Sequence, residues 1–275
     1  MGSFKLSLRR LATCVAGLVG MTLLASSCSY CSNDDNVVLN GTLNYQQAEL
    51  KVKPFTEIDV ETVADVYYVQ SDTAQHRVSF DFSKIKDDDM REKFEKNVIA
   101  VYREGKVIIG LKDKISGITN LNLGQRLCVY ITSPDLVKVT MEGVGLFNAD
   151  AINSDVFEID NEGVGNITIK KMLVNQVSID NEGVGNVKVD ELQADRINID
   201  NEGVGSVKVG KFKGGKMHID NEGVGKVEAE VNCQSVHAIL EGVGSIRLSG
   251  VTHRLEKQKD GVGSFKISGL KVLGK

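Results

Sequence analysis

The chain has 275 residues, of which 33 are Lys or Arg and 37 are Asp or Glu, so its net charge at pH 7 is −4. Without Lys5, Arg9 and Arg10, which lie in a predicted leader, 30 basic residues remain against 37 acidic ones, and the net charge is near −7. This acidity excludes nucleic acid and other polyanions as expected partners. The length is sufficient for one elongated domain or two compact ones.

The first 27 residues have the organisation of a secretory leader. The basic residues named above precede the uncharged apolar run LATCVAGLVGMTLLA, which ends just before Cys28. Such a run is typical of a signal peptide rather than a spanning anchor. The small residues before Cys28 resemble a bacterial lipobox, although Ala25 stands where Leu is commonest. We predict a lipoprotein signal peptide over residues 1–27 and lipidation, with palmitate, at Cys28; plain secretion is the alternative.

Residues 28–40 are polar and acidic, with SYCSNDDN at their start, and we predict that they form a tether. Acidic runs in this place resemble the surface-export signal of Bacteroidetes lipoproteins; a solvated linker is the alternative. A lipid chain would hold the protein on a membrane without a spanning helix. The remaining mature cysteines are too few and too widely spaced for a disulfide framework or a metal site. They are Cys31, Cys128 and Cys233.

An internal repeat of twenty residues organises the rest of the chain. The tripeptide GVG occurs seven times, at intervals of 20, 20, 20, 20, 19 and 19 residues, and an acidic residue precedes each copy. The copies begin at Gly143, Gly163, Gly183, Gly203, Gly223, Gly242 and Gly261. A fixed period predicts a stack of coils, because one coil cannot bury its own apolar face. We predict a regular repeat domain over residues 143–275, preceded over 41–142 by irregular coils that cap the stack.

Apolar and polar residues alternate on both sides of each GVG. Ile167 and Ile169 follow one copy, and Val177 and Ile179 precede the next. A period of two is the pattern of strands with one buried face, so we predict two strands and a turning segment per coil. A third apolar column is expected at the turning segment. It contains Ile152, Met172, Leu192, Phe212, Val251 and Leu270, with a slip to Val231 in the fifth repeat.

These features predict an all-β fold, a right-handed parallel β-helix or β-solenoid. Neighbouring coils would pair in parallel about 4.8 Å apart, and parallel crossovers nearly always take the right hand. A β-sandwich, the alternative, would need hairpin signals and no fixed period. Before the repeats, alternation predicts strands in IDVETVADVYYVQ, HRVSFDF, KVIIGL and LCVYITSP. The segment KDDDMREKFEKNV predicts a short helix, with Met90 and Phe94 one turn apart.

Four repeats contain the heptapeptide IDNEGVG, and the alternation assigns a direction to its side chains. Inward amides on successive coils predict a buried hydrogen-bonded ladder, and a ligand-binding site is the alternative. The ladder residues are Asn161, Asn181, Asn201 and Asn221. Glycine permits positive φ or close backbone approach, which a corner needs. The corner glycines of these copies are Gly163, Gly183, Gly203 and Gly223. We expect the valines between glycines, such as Val164 and Val184, to fill the core.

The outward acidic residues form two columns, and these are the candidate interaction residues. One column contains Asp160, Asp180, Asp200 and Asp220, and the other contains Glu162, Glu182, Glu202 and Glu222. Like charges one strand apart repel each other, and a basic column that includes Lys188 and Lys208 is expected to compensate part of this charge. Calcium needs about six to eight oxygen ligands, and the nonapeptide of calcium-binding β-rolls is absent. We predict no cofactor, with calcium as the alternative.

No catalytic constellation stands out. Catalysis by carboxylates requires a unique pair, whereas every acid here recurs with the repeat. The chain has no Trp and 5% aromatic residues, which leaves few platforms for sugar rings. His218 and His237 are expected to be neighbours on adjacent coils, but two ligands do not make a metal site. We predict no enzymatic activity; a polysaccharide-active β-helix is the alternative.

Together these features resemble the head GIN domain family of putative auto-transporter adhesins, which occurs in many Bacteroidetes lipoproteins. The resemblance runs from about Phe55 to the C-terminus and rests on FTEIDVETVADVYYVQ, ITSPDLVKVTMEGVG and the glycine corners. Corners in that family often read Gly-Ser-Gly, whereas all seven here read GVG. The resemblance implies a pectin-lyase-like β-helix without catalytic residues that serves adhesion at the cell surface. It carries over no binding residues.

The resulting expectation is a lipid-anchored, non-catalytic protein exposed on the outer membrane, acting as an adhesin or interaction module. Its partners would be the membrane, through the lipid, and a protein or glycan on a host or neighbouring cell. Extended ladders of identical side chains favour shallow recognition over a pocket. Carbohydrate binding, or calcium-dependent binding through the acidic columns, is the alternative.

Overall fold

The computed structural model describes residues 37–40, 50–51, 53–113 and 126–274. The predicted signal peptide and Cys28 lie outside these residues. The described part of the chain forms strands and one short helix. The elements are β1 Val37–Asn40, β2 Leu50–Lys51, β3 Glu57–Val60, β4 Val63–Gln70, β5 Arg77–Asp81, α1 Asp88–Asn97, β6 Val98–Arg103, β7 Lys106–Leu111, β8 Leu127–Ser133, β9 Lys138–Met141, β10 Val144–Asn161, β11 Val164–Asn181, β12 Val184–Asn201, β13 Val204–Asn221, β14 Val224–Leu240, β15 Val243–Lys259 and β16 Val262–Val272.

Strands β10 to β16 form the regular stack, so the predicted parallel β-solenoid is confirmed. Consecutive strands pair in parallel, and over most of their length residues lie beside their equivalents in the next repeat, as Asn181 lies beside Asn201. Each coil is one continuous strand, of 18 residues in β11 for example, instead of the expected two strands and a turn. The slip in the fifth repeat is also confirmed, because the register shifts after Val209 and Phe212 pairs with Val231.

Burial along one coil shows how the continuous strand bends. In β11 buried and exposed residues alternate, but two exposed residues follow each other at 170–171 and again at 175–176. After each pair, the side chains that point inward change from odd-numbered to even-numbered positions or back. With the GVG corner, these changes give each coil three sides. They also create an inward column that was not predicted, ten or eleven residues after the first glycine. Its buried members are Val174, Ala194, Cys233 and Thr252.

The alternation of inward and outward side chains continues without a break through the GVG corner. The prediction that the valines of the corner point into the core is therefore wrong. Gly163 and Gly183 are buried, whereas Val184, Val204 and Val224 are exposed by 51%, 48% and 53%. Apolar character suggested an inward side chain, but the alternation of the strand continues unbroken through the corner. The valines therefore form an apolar ridge on the outside of the stack.

Close stacking explains the glycines of the corner. A Cβ atom on Gly183 would lie 2.2 Å from the carbonyl oxygen of Gly163, and one on Gly185 would lie 1.6 Å from that of Gly165. Both distances are far inside van der Waals contact. The backbones approach so closely because the corner is itself hydrogen-bonded between coils: the Gly183 N–H donates to the Asn161 carbonyl at 2.7 Å.

The four asparagines lie at buried, inward positions and bond to one another along the stack. Each Nδ2 donates to the Oδ1 of the next coil, at 2.6 Å from Asn161 to Asn181, 2.7 Å from Asn181 to Asn201 and 2.6 Å from Asn201 to Asn221. The ladder is directional, so one polar atom is left over at each end. These are Oδ1 of Asn161 and Nδ2 of Asn221, both buried without a hydrogen-bond partner.

The described residues before the repeats add further strands and one helix to the stack. Strands β3 and β4 stack in parallel on β9 and β10, so that Val63 lies beside Val144. The predicted helix is confirmed as α1; the Asp87 side chain accepts from the Met90 N–H at its start, and Phe94 is buried. Strands β6 and β7 form an antiparallel pair, and β1 pairs with β6. The last four residues of the predicted tether are thus a strand.

Candidate interaction surface

The two predicted acidic columns lie side by side at the GVG corner. The register places the four aspartates next to one another on β10 to β13, and the glutamates follow two residues later. The glutamates are exposed, whereas the aspartates are half-buried. We call the two columns together with the exposed valines Val184, Val204 and Val224 the acidic corner. The valines were not recognised as surface residues from the sequence.

Among the described residues, a basic side chain pairs with the aspartate column at one end. Lys138 Nζ lies 3.3 Å from an oxygen of Asp160 and 3.1 Å from one of Glu158. Lys188, expected to compensate the columns, instead pairs with Asp190 at 2.7 Å. Within the described part of the chain, no ion pair involves the three aspartates further along. The middle of the acidic corner is therefore uncompensated.

Burial and nearby carboxylates raise the pKa values of four carboxyls of the corner. Burial, and then the neighbouring carboxylates, raise the pKa of Asp200 from 3.8 to about 7 and that of Asp180 to about 6. The same causes raise the pKa values of Glu182 and Glu222. The Oδ1 atoms of Asp200 and Asp220 are buried without a hydrogen-bond partner. Asp180 and Asp200 therefore hold a proton at a higher pH than an exposed carboxyl does.

We expect Asp200→Asn to stabilise the protein at pH 8 by about 1–2 kcal/mol, a value discounted because the Asp200 side chain is only half-buried and solvent screens its charge. A carboxyl with a raised folded pKa favours folding below its unfolded pKa of about 4, and this contribution is lost as pH rises through the folded value. The wild-type Tm should therefore fall between pH 5 and pH 8, and the variant's Tm should fall less. Thermal unfolding at several pH values measures both.

The exposed Asp195, on another side of the same strand, provides the control for this prediction. Asp195→Asn removes one charge without touching the column, so its pH profile should match the wild type. Equal effects of the two substitutions would show that net charge, rather than the column, controls the stability.

The other candidate groups form no metal cluster in the described residues. His218 and His237 are neighbours as predicted, with ring centroids 5.0 Å apart. In residues 53–113 and 126–274, no group of three or more His, Cys, Asp or Glu is placed to hold a metal ion. Cys128 and Cys233 are buried free thiols, and burial raises the pKa of each.

A parallel solenoid whose coils align two columns of acidic side chains along one corner is a repeat protein with an extended, shallow surface. The family described as "Putative auto-transporter adhesin, head GIN domain" matches residues 54–250. The chain belongs to this family, which confirms the resemblance seen in the sequence. Among curated proteins, no sequence is similar enough to match.

Solved structures share the fold. A crystal structure of a putative adhesin from Bacteroides fragilis NCTC 9343 has 23% sequence identity and a TM-score of 0.69, covering 85% of this chain and 97% of its own. A putative adhesin from Parabacteroides distasonis ATCC 8503 has 18% identity and a TM-score of 0.51, covering 83% and 98%. At these identities the likeness establishes the fold. In the described part of this chain, no helix is long and apolar enough to cross a membrane.

Proposed function

We propose that the protein is a lipid-anchored adhesin of the outer membrane, exposed on the cell surface, that binds a basic protein surface through the acidic corner. The observation that carries the proposal is the alignment of Asp180, Asp200 and Asp220, which no ion pair among the described residues involves, beside an exposed apolar ridge. Membership of an adhesin family supports the surface role.

Asp180 and Asp200 are expected to lower the stability of the protein at neutral pH. Half-buried carboxyls with raised pKa values oppose folding at neutral pH, and proteins keep such local conflicts mainly at functional sites. Lys and Arg side chains of a partner would lower this repulsion on binding, and the ridge of valines would bury apolar area against the same partner. A shallow, repetitive surface suits a macromolecule rather than a small ligand.

The proposed role is non-catalytic. The carboxylates of the corner recur at the same position on adjacent coils, whereas acid–base catalysis requires two groups with distinct protonation states and a defined separation. The aspartates with the strongest shifts, Asp180 and Asp200, share both their direction and their cause. Such a ladder offers repeated equivalent contacts to a partner.

We expect neutralisation of the corner to reduce adhesion by at least about tenfold, because several charge contacts are lost together. The test compares the binding of fluorescently labelled mature protein to intact host epithelial cells with that of a variant carrying D180N, E182Q, D200N and E202Q. Added salt should weaken the wild type in the same direction.

A second variant neutralises the same number of acids outside the corner, with D150N, D190N, E191Q and D195N, and should bind as the wild type does. Equal binding by all three proteins would overturn the role of the corner. Equal losses in both variants would assign the attraction to net charge alone.

The lipid anchor has its own test at Cys28. We expect Cys28→Ser to abolish incorporation of labelled palmitate and to release the protein from the membrane fraction, because the lipid chain is the proposed attachment. Protease treatment of intact cells should degrade the wild-type protein if the domain faces outward. An unlabelled wild-type protein, or a Cys28→Ser variant that stays in the membrane fraction, would refute the anchor.

A further inference from the structure

A second surface, away from the acidic corner, is an open groove of about 1050 Å³ beside the first regular coil. It lies between the end of β4, the segment leading into β9, and the second side of β10 and β11. We call it the β10 groove. The residues that line it and enter the argument are Gln70, Asp72, Asp135, Asp155, Val156 and Leu173.

The groove occupies the place of a missing strand. On its C-terminal side β10 pairs with β11 along almost its whole length. On the other side, β4 pairs with β10 only over Val144–Ala149, and β9 pairs with it only over Glu158–Asn161. None of the described strands pairs with residues 150–157 on that side. The backbone of β10 therefore presents an open edge to the groove, and open edges accept strands from other chains.

Gln70 shows that this edge accepts peptide-like groups. Its side-chain Oε1 accepts from the Asn153 N–H at 2.6 Å, and its Nε2 donates to the Asn153 carbonyl at 2.7 Å and to that of Pro134 at 3.0 Å. An amide side chain carries the same donor and acceptor as a peptide unit. Gln70 thus makes the two bonds that one residue of an added strand would make. The stretch from Ser154 to Phe157 continues the edge beyond Gln70.

The charge and polarity of the β10 groove specify the added strand. Asp72, Asp135 and Asp155 bring three carboxylates to the groove, and no ion pair involves them in the described part of the chain. Asp155 accepts one hydrogen bond, from Asn175 at 3.0 Å. Val156 and Leu173 are exposed by 47% and 49% and provide the apolar contact.

We propose that the β10 groove is a strand-addition site that binds a short extended peptide of a partner protein, with Lys or Arg next to an aliphatic residue. Backbone hydrogen bonds to the edge of β10 would supply the affinity, and the side chains would supply the specificity. The open stretch of about four residues includes the bend at 155–156, so the added segment is short. This site is independent of the proposed adhesive surface.

The test measures fluorescence anisotropy of labelled heptapeptides in which Lys or Arg alternates with Val or Leu, capped at both ends. These should bind the whole mature protein with a Kd below about 1 mM, while Glu–Val peptides should not. N-methylation of alternate backbone amides, which removes donors without changing charge, should weaken binding at least about tenfold.

Matched variants locate the binding. Asp155→Lys should weaken it at least about fivefold, while Asp195→Lys, at the equivalent position two coils away, should not change it. The corner variant D180N, E182Q, D200N and E202Q should also bind the peptides normally, which separates this site from the adhesive one. Equal binding of methylated peptides, equal losses in both lysine variants, or no binding by any basic peptide would overturn the proposal. So would a large Tm loss in Asp155→Lys alone, which would indicate that the groove holds another part of this chain.

Discussion

Replacing Gly203 by Ala is expected to destabilise the stack by at least about 4 kcal/mol or to prevent its folding. The new Cβ would lie 2.2 Å from the carbonyl oxygen of Gly183 and 2.7 Å from the carbonyl carbon of Glu182. These atoms belong to the backbone, which cannot give way as a flexible side chain would. The corner is held in place because the Gly203 N–H donates to the Asn181 carbonyl at 2.7 Å. Denaturant unfolding monitored by circular dichroism measures the loss.

Gly110 in β7 provides the comparison for this substitution. Among the described residues, the nearest atom to a Cβ there would be Glu61 Oε2, at 3.7 Å, which is an ordinary contact. Gly110→Ala should therefore change the free energy of unfolding by less than about 1 kcal/mol. If Gly203→Ala unfolded at the same denaturant concentration as the wild type, close stacking at the corner could not be the reason for its glycines.

The repeat period was sufficient to predict which residues lie beside one another in the stack. The spacing of GVG and the alternation around it determine which residues share a column, so the register of Asn181 with Asn201 and the neighbouring positions of His218 and His237 followed from counting. The helix over Asp88–Asn97 followed from local signals, its acidic start and the spacing of Met90 and Phe94.

The direction of the corner valines was predicted wrongly, and the bends within each coil were not predicted. Val184 is apolar, yet it points outward because the parity of the strand outweighs the preference of one side chain for burial. The bends at 170–171 and 175–176 carry no glycine or proline, so the second inward column, which includes Val174, had no sequence marker.

The acidic columns could be predicted because they repeat, whereas the β10 groove could not because it occurs once. The aspartate and glutamate columns are periodic, and their positions followed from the sequence. Their uncompensated charge did not, since it depends on Lys188 turning toward Asp190. The β10 groove is formed by the end of β4 beside an unpaired part of β10. Because this junction is not repeated, no periodic pattern in the sequence indicates it.

The asparagine ladder carries the second large expected effect. Asn201→Leu should destabilise the protein by about 3 kcal/mol, because it breaks two buried hydrogen bonds and leaves the Nδ2 of Asn181 and the Oδ1 of Asn221 without partners. Burial of an unpaired polar group costs more than the bond itself contributes. Thermal and denaturant unfolding of the purified variant measure this cost.

Because the ladder is directional, substitutions at its end and in its middle should differ in cost. Asn221→Leu breaks one bond and removes an Nδ2 that already lacks a partner, so it should cost about 1–2 kcal/mol less than Asn201→Leu. Leu240 occupies the same inward slot on the next coil, which shows that the position accepts this side chain. If the two variants were equally unstable, their cost would come from packing a larger side chain rather than from lost pairing.

Replacing all four ladder asparagines by Leu tests whether unpaired amides cause the loss of stability in the single variants. No amide would then remain to lack a partner, so the fourfold variant should be more stable than the sum of its single substitutions predicts. The acidic corner would keep its carboxylates in register, because the inter-coil backbone hydrogen bonds at the corner do not involve the amide side chains. Adhesion by this variant should therefore match the wild type, which would separate the residues that build the stack from those that bind.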